Sequence, residues 1–267
     1  VRLAWAFFLR DARIAMSYRL AFGVQMINNL LVIGLFYFIG KVIGPTPLPT
    51  LKDYGGNFLA YMIIGIALTD CVGISLFTFG TQIREAQMSG TFEATLLSPV
   101  RLPVILVFSS LWNYFLSGVR FVCYLVAGAI AYGVSMRQGN FTAAAVVFLL
   151  TVLCFMGAGI LWAGVIMVVK RGDSLLALGA TIVLLCGGVL FPPSMLPHWM
   201  QSVAAVIPLT YALDGMRHAL LQGWTLAQLN PVLWRLSLFA AVLLTLGFAG
   251  FAWSVKVAKR TGSLSQY

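Results

Sequence analysis

Two opposite charges interrupt apolar runs, Asp70 and Arg120. An ionisable group in hydrocarbon is costly, so each is expected to face protein or water and to find a partner. Counted from the outer ends of their runs, near Phe58 and Gly133, both lie about 18–20 Å deep at 1.5 Å per residue. Three roles fit such a pair: an ion pair fixing the packing of two helices, within one chain or across a dimer; a wet surface for translocation; or two charges with separate partners. Other reactive groups are sparse. His198 and His218 are the only histidines, and with Asp214 they fall short of the ligands zinc needs. Asp214, Arg217 and His218 are instead expected to support a helix surface through i,i+3 and i,i+4 contacts. Cys71, Cys123, Cys154 and Cys186 each sit in an apolar run, without the short spacings of a metal or redox site, and read as small buried hydrophobes. No Gly-rich phosphate cradle ending in Gly-Lys-Ser/Thr occurs and no nucleophile stands beside a base, so the chain is not expected to be an enzyme or to hold a cofactor or metal.

The elements that position these residues follow from solvent. With 61% hydrophobic and 9% charged residues, the chain has too little charge to cover a soluble surface, where roughly a quarter is usual. Apolar runs at 21–40, 58–79, 104–133, 141–169, 175–191 and 232–255 are each close to or above the roughly 17–25 residues that cross a bilayer. The expected fold is an all-α polytopic membrane protein with six transmembrane helices. One set of loops holds Arg2, Arg10, Arg13, Arg19, Arg84, Arg101, Lys170, Arg171, Lys256, Lys259 and Arg260; the other holds Lys41, Lys52, Arg137, Arg217 and Arg235. That asymmetry places both termini in the cytoplasm, and the expected location is a bacterial inner or plasma membrane. The net charge of +10 gathers at the ends of apolar runs and forms no patch interleaved with stacking aromatics, which favours lipid headgroups over nucleic acid. Charges at Arg2, Arg10, Asp11, Arg13 and Arg19 argue against a cleavable signal peptide.

Three segments lie outside the spans. In residues 1–20, Leu3, Phe7, Ile14 and Tyr18 share one sector of a helical wheel beside Arg2, Arg10 and Arg13, with Phe8 and Leu9 elsewhere. This reads as an amphipathic interfacial helix, or as a plain extension of the first span. In the cytoplasmic segment 82–99, Gly90 permits a sharp turn, Thr91 caps a short helix and Pro99 ends it, offering Glu93 and Thr95 to the cytosol. Such a helix suits a groove on another protein, the alternative being a connector. In the external segment 192–230, Pro192, Pro193, Pro197 and Pro208 cut an apolar stretch into pieces too short to span, giving two short helices at Pro197–Ile207 and Thr210–Leu221 that lie at the interface or re-enter.

Two of these segments carry a resemblance. Gly90-Thr91-Phe92-Glu93-Ala94-Thr95-Leu96-Leu97-Ser98-Pro99 is similar to the Gly-Thr-Leu-Glu, Leu-Leu, Ser-Pro signature of ABC-2 type permeases, with Phe92 at the usual aliphatic position. Gly188, Phe191-Pro192, Leu196-Pro197 and Pro208-Leu209-Thr210-Tyr211-Ala212-Leu213-Asp214, then Arg217, resemble that family's segment between the fifth and sixth spans. The resemblance covers nearly the whole chain and implies one transmembrane domain over 21–267. It implies a homodimer bound to two cytoplasmic ABC ATPase subunits, which would hold ATP and magnesium. The coupling region would include Arg84, Glu85, Gly90, Thr91, Glu93 and Thr95, and the external helices with Pro192, Pro197, Pro208, Tyr211, Asp214 and Arg217 would cap the pathway. The implied activity is export of a drug-like or lipid-like amphiphile. A polysaccharide or lipid-linked glycan is the alternative cargo, and a channel, secondary transporter or non-transporting membrane anchor would be a different class.

Overall fold

The computed structural model describes residues 2–17, 19–43, 51, 54, 58–90, 100, 102–133, 139–169 and 173–261. Among them are nine α-helices, short 3-10 turns and no strand. The helices are α1 (Arg2–Ser17), α2 (Arg19–Ile43), α3 (Phe58–Met88), α4 (Leu102–Tyr132), α5 (Phe141–Val169), α6 (Asp173–Cys186), α7 (His198–Val206), α8 (Pro208–Leu221) and α9 (Asn230–Thr261). Among the described residues, four stretches are long and apolar enough to cross a bilayer: Phe58–Met88, Leu102–Ile130, Phe141–Met167 and Asn230–Ala258.

Helix α5 is apolar on every side, as a helix buried in protein or crossing a membrane is, and Phe141 and Leu149 stay exposed on it. It lies between α3 and α9 and also meets α8. The α5–α9 crossing is close: a Cβ on Gly157 would come within 2.5 Å of the Leu243 backbone, and one on Gly247 within 2.4 Å of the Gly157 carbonyl. Small residues that let backbones touch are the usual basis of helix association in hydrocarbon. Helix α4 packs on α3, and α1 lies along α4. Ile63, Ile64, Leu68, Val147, Leu209, Leu213, Met216 and Leu236 form the core at the α8 end of the bundle. Phe79, Ile83, Leu102, Leu106, Ile160 and Phe251 form a second core at the α1 end.

Helix boundaries follow local chemistry. Asn140 caps α5, its Oδ1 accepting from the Ala143 N–H at 3.1 Å, while its own N–H donates to the Ala219 carbonyl at 2.8 Å and ties α5 to α8. Pro197 immediately precedes α7 and Pro208 opens α8, where a missing N–H costs nothing. Orphan carbonyls at the end of α7 accept from Thr210 Oγ1 and Tyr211 Oη, at 2.9 and 2.8 Å to Ala204 and Ala205.

Two features differ from the sequence expectation. The helix in the fifth run ends at Cys186, not Phe191, because Gly187 and Gly188 (φ +79°) turn the chain toward Pro192 and Pro193. Phe8, placed off the apolar sector of α1, docks it together with Phe7 of that sector: the Phe8 ring lies 5.2 Å from Trp112 and 5.6 Å from Phe115, and the Phe7 ring 6.4 Å from Phe108. Trp5 and Ile14 stay exposed, so α1 has an apolar side on the bundle and a second that the chain leaves uncovered.

Candidate functional site

At the α8 end a positive charge is sealed among aromatic rings. Arg217 is 1% exposed. Its guanidinium carbon stands 3.3 Å from the Tyr61 ring centroid and 5.7 Å from that of Tyr54. Nη1 donates to the Gly188 carbonyl at 2.8 Å, and Nη2 to those of Val189 at 3.1 Å and Tyr61 at 3.3 Å. Tyr61 Oη also donates to Gly188 O, at 2.9 Å. One side chain of α8 thus satisfies the carbonyls of the turn after α6 and clasps the first turn of α3. Space comes from Gly65, where a Cβ would meet Val189 O at 2.7 Å and Arg217 Nη2 at 2.9 Å.

Asp214 completes the cage. Tyr54 Oη donates to its Oδ1 at 2.9 Å, and His218 Nδ1 lies 3.4 Å from that oxygen. A carbonyl only accepts, so Nδ1 carries the ring hydrogen it donates to Asp214 O at 2.8 Å. The His218 ring is held between Trp224 and Tyr54, with centroids 4.0 and 5.2 Å away. Burial alone would raise the Asp214 carboxyl, but His218, Tyr54 and Arg217 hold it below its ordinary value. Burial pushes the Arg217 guanidinium down to about 10 against the attraction of Tyr61, Tyr54 and Asp214, which leaves it charged at neutral pH. Burial, then Asp214, pushes the Tyr54 phenol up.

This corrects the expectation of a surface triad. Asp214 and His218 do meet at i,i+4, but Arg217 is interior and cannot be counted with the exposed basic residues. Spacing along a helix says which residues share a face; only the packing of α8 on α3 and α5 says what that face meets. Tyr54, Tyr61, Gly65 and Trp224 were missed. A tyrosine in an apolar run needs a partner for its hydroxyl, and that was the available signal at Tyr61. Tyr211, on the same helix, lies outside the cage: its ring stacks 5.8 Å from Phe239 with the Arg235 guanidinium 5.2 Å above it.

Asp70 and Arg120 come together between α3 and α4, with Oδ2 to Nη1 at 3.7 Å and both side chains partly exposed, 24% and 16%. At the far end of α3, Arg84 and Glu85 occupy the last polar turns, and Gly90 adopts φ +68° directly after Ser89, whose N–H and Oγ both donate to Glu85 O at 2.9 and 2.8 Å. Thr91, Glu93 and Thr95 lie outside the described residues. Among the described residues no three His, Cys, Asp or Glu side chains gather as a metal site would require. A family model described as ABC-2 type transporter matches residues 1–221. Among curated proteins, none matches the chain.

Proposed function

Because the chain belongs to the ABC-2 type transporter family, we propose that it is the transmembrane subunit of an ATP-driven exporter that moves a drug-like or lipid-like amphiphile out of the cytoplasm or inner leaflet. Two copies would pair in a bacterial inner membrane and bind two ABC ATPase subunits, which hold ATP and magnesium. Six spans are proposed: the four long apolar helices, α2, and the 175–191 run that begins with α6. The 82–99 segment and both termini would face the cytoplasm.

The observation that carries this reading is the continuity of α3. One helix of 31 residues holds Tyr61 near its start, Asp70 in its middle and Arg84 and Glu85 at its end. At 1.5 Å per residue it measures about 46 Å, some 15 Å more than the hydrocarbon needs, so its polar end projects to a motor's reach. A push at Gly90 would move the wall that contains Asp70 and the clasp around Arg217 as one body. A partly exposed ion pair in an apolar wall suits a cargo that is apolar with one polar group.

The test is reconstitution with the cognate ATPase in liposomes, scoring ATP turnover and movement of lipids, amphiphilic drugs and glycans. Amphiphiles are expected to stimulate turnover and be moved; stimulation by glycans alone would overturn the cargo class. Gly90→Val, which forces a β-branched residue to φ +68°, is expected to leave the complex assembled and hydrolysing ATP while transport falls, with Gly90→Ala in between. Wild-type transport by Gly90→Val would reduce the segment to a connector.

A further inference from the structure

The side of α2 turned away from the bundle carries a regular stripe. Helix α2 packs on α3 and α4 through one side, where Ile33 is buried and Val32, Phe36 and Tyr37 are half-buried. The opposite side presents Val24, Asn28, Leu31, Leu35 and Phe38, all exposed. Their spacings alternate four and three, so at roughly 100° per residue the five fall within an arc of about 80° and run about 21 Å along the helix. That is the seam of a left-handed helix pair, with Asn28 and Leu35 at its a positions and Val24, Leu31 and Phe38 at its d positions.

Asn28 is the residue out of keeping. It stands nine residues after Arg19, which opens α2, and thirteen before Lys41 in the last turn, whose ammonium lies 5.0 Å from the Tyr37 ring centroid. With α2 as the first span of a two-copy permease, the reading on which this inference rests, Asn28 is about 14 Å from Arg19 and about 20 Å from Lys41, within hydrocarbon. An amide there has two N–H donors and a carbonyl acceptor that lipid tails cannot meet. Two hydroxyls exposed on other helices are satisfied locally: Thr181 Oγ1 on α6 donates to Ala177 O at 2.9 Å, and Thr245 Oγ1 on α9 to Ala241 O at 2.6 Å. Asn28 makes no such bond among the described residues.

We propose that α2 pairs with α2 of a second copy along this stripe, and that Asn28 of each copy hydrogen-bonds its twin and so fixes the register of the seam. A two-fold axis along the membrane normal makes two copies of one helix parallel and sets identical residues at one depth. An amide is complementary to itself, so the symmetric pair satisfies a donor and an acceptor on each side. The exposed apolar side chains of α4, among them Phe115, Val122, Val126 and Ile130, present nothing that lipid cannot cover equally well. A single asparagine at an a position of an otherwise apolar seam selects register and copy number in helix pairs. Leucine and phenylalanine supply the contact area, and the amide decides the alignment.

The experiment uses the full chain, freed of its native cysteines and assembled with its ATPase, in native membranes. On oxidation, Leu31→Cys and Leu35→Cys should each give a disulfide-linked dimer, while Phe36→Cys, on the side packed against the bundle, should not. Association is then measured for the full chain in liposomes, by energy transfer between labelled copies at falling protein density. Asn28→Leu should raise the density at which dimers separate about tenfold, or ~1.4 kcal/mol, the order of an interhelical hydrogen bond in lipid. Asn28→Gln, which keeps a self-complementary amide, should restore most of the loss. The thermal midpoint of the monomer in detergent should be the same for the wild type and both variants, which separates lost pairing from lost folding. If copies pair but Leu31→Cys and Leu35→Cys do not cross-link, or Asn28→Leu pairs as tightly as the wild type, the seam is overturned and the two-copy reading stands. If Asn28→Leu pairs normally but loses transport, the amide faces the cargo and the seam is overturned likewise. If no copies pair at any density and the assembled complex holds one, the two-copy reading falls and takes this inference with it.

Discussion

A guanidinium offers five N–H donors in a rigid plane, and at Arg217 those of Nη1 and Nη2 meet three carbonyls from two parts of the chain with a ring beneath, while the buried Nε has no hydrogen-bond partner among the described residues. Lysine keeps the charge but cannot hold those carbonyls at once. Arg217→Lys is therefore expected to cost about 3 kcal/mol, the loss typical of breaking a buried charge network, read from unfolding of the detergent-solubilised protein. Gly65→Ala should cost about 1–3 kcal/mol by overpacking the same space. Because they share the guanidinium, the double variant should lose less than the sum of the two, and additive losses would separate the sites. Asp214 adds a pH dependence whose sign is fixed by its lowered pKa. A carboxyl that ionises more readily folded than unfolded contributes stability above its unfolded value, near 4, and loses it as pH falls through the folded value. The thermal midpoint should drop on acidification below about pH 4 more in the wild type than in Asp214→Asn, and parallel curves would show that the carboxylate contributes nothing.

Between elements, contact in hydrocarbon depends on how near two backbones come, since lipid tails are as apolar as leucine. The α5–α9 crossing at Gly157 and Gly247 is the clearest instance. A methyl at either position has backbone, not a movable side chain, against it, so the helices must separate. Gly247→Ala is expected to lower the yield of folded protein and its thermal midpoint, whereas Gly179→Ala, with nothing within 4 Å, should not. Equal behaviour would mean that the crossing is held by its flanking side chains. Apolar pattern and proline positions gave the helices α7 and α8 to within three residues at each end, because a proline ends one helix and opens the next through local sterics alone.

For the molecule as a whole, packing is uneven. Helix α5 meets α3, α8 and α9, while among the described residues α6 touches chiefly the short α7 and leaves Leu178, Ile182 and Leu185 exposed; α2 likewise leaves Leu31, Leu35 and Phe38 uncovered. Thinly packed apolar helices of this kind are where the proposed second copy would sit, and a two-fold axis brings a residue near its own twin. In a background lacking the native cysteines, Ile182→Cys should form a disulfide-linked dimer on oxidation in membranes, while Leu238→Cys on α9 should not. The opposite pattern would move the seam to α9.

What the sequence determined by itself is what solvent and local sterics dictate: a helical chain rich in spans, the proline-cut pair of short helices, the turn at Gly90, and a depth match that made Asp70 and Arg120 candidates for contact. These depend on composition, on 1.5 Å per residue and on which dihedrals each residue tolerates. The tertiary structure alone decided that Arg217 is interior, that Tyr54, Tyr61 and Trp224 close around it and its neighbours, and that Phe8 seats α1 on α4. Tyr54 and Asp214 are 160 residues apart, and which distant faces meet depends on the packing of all the helices together, information that no single helix carries.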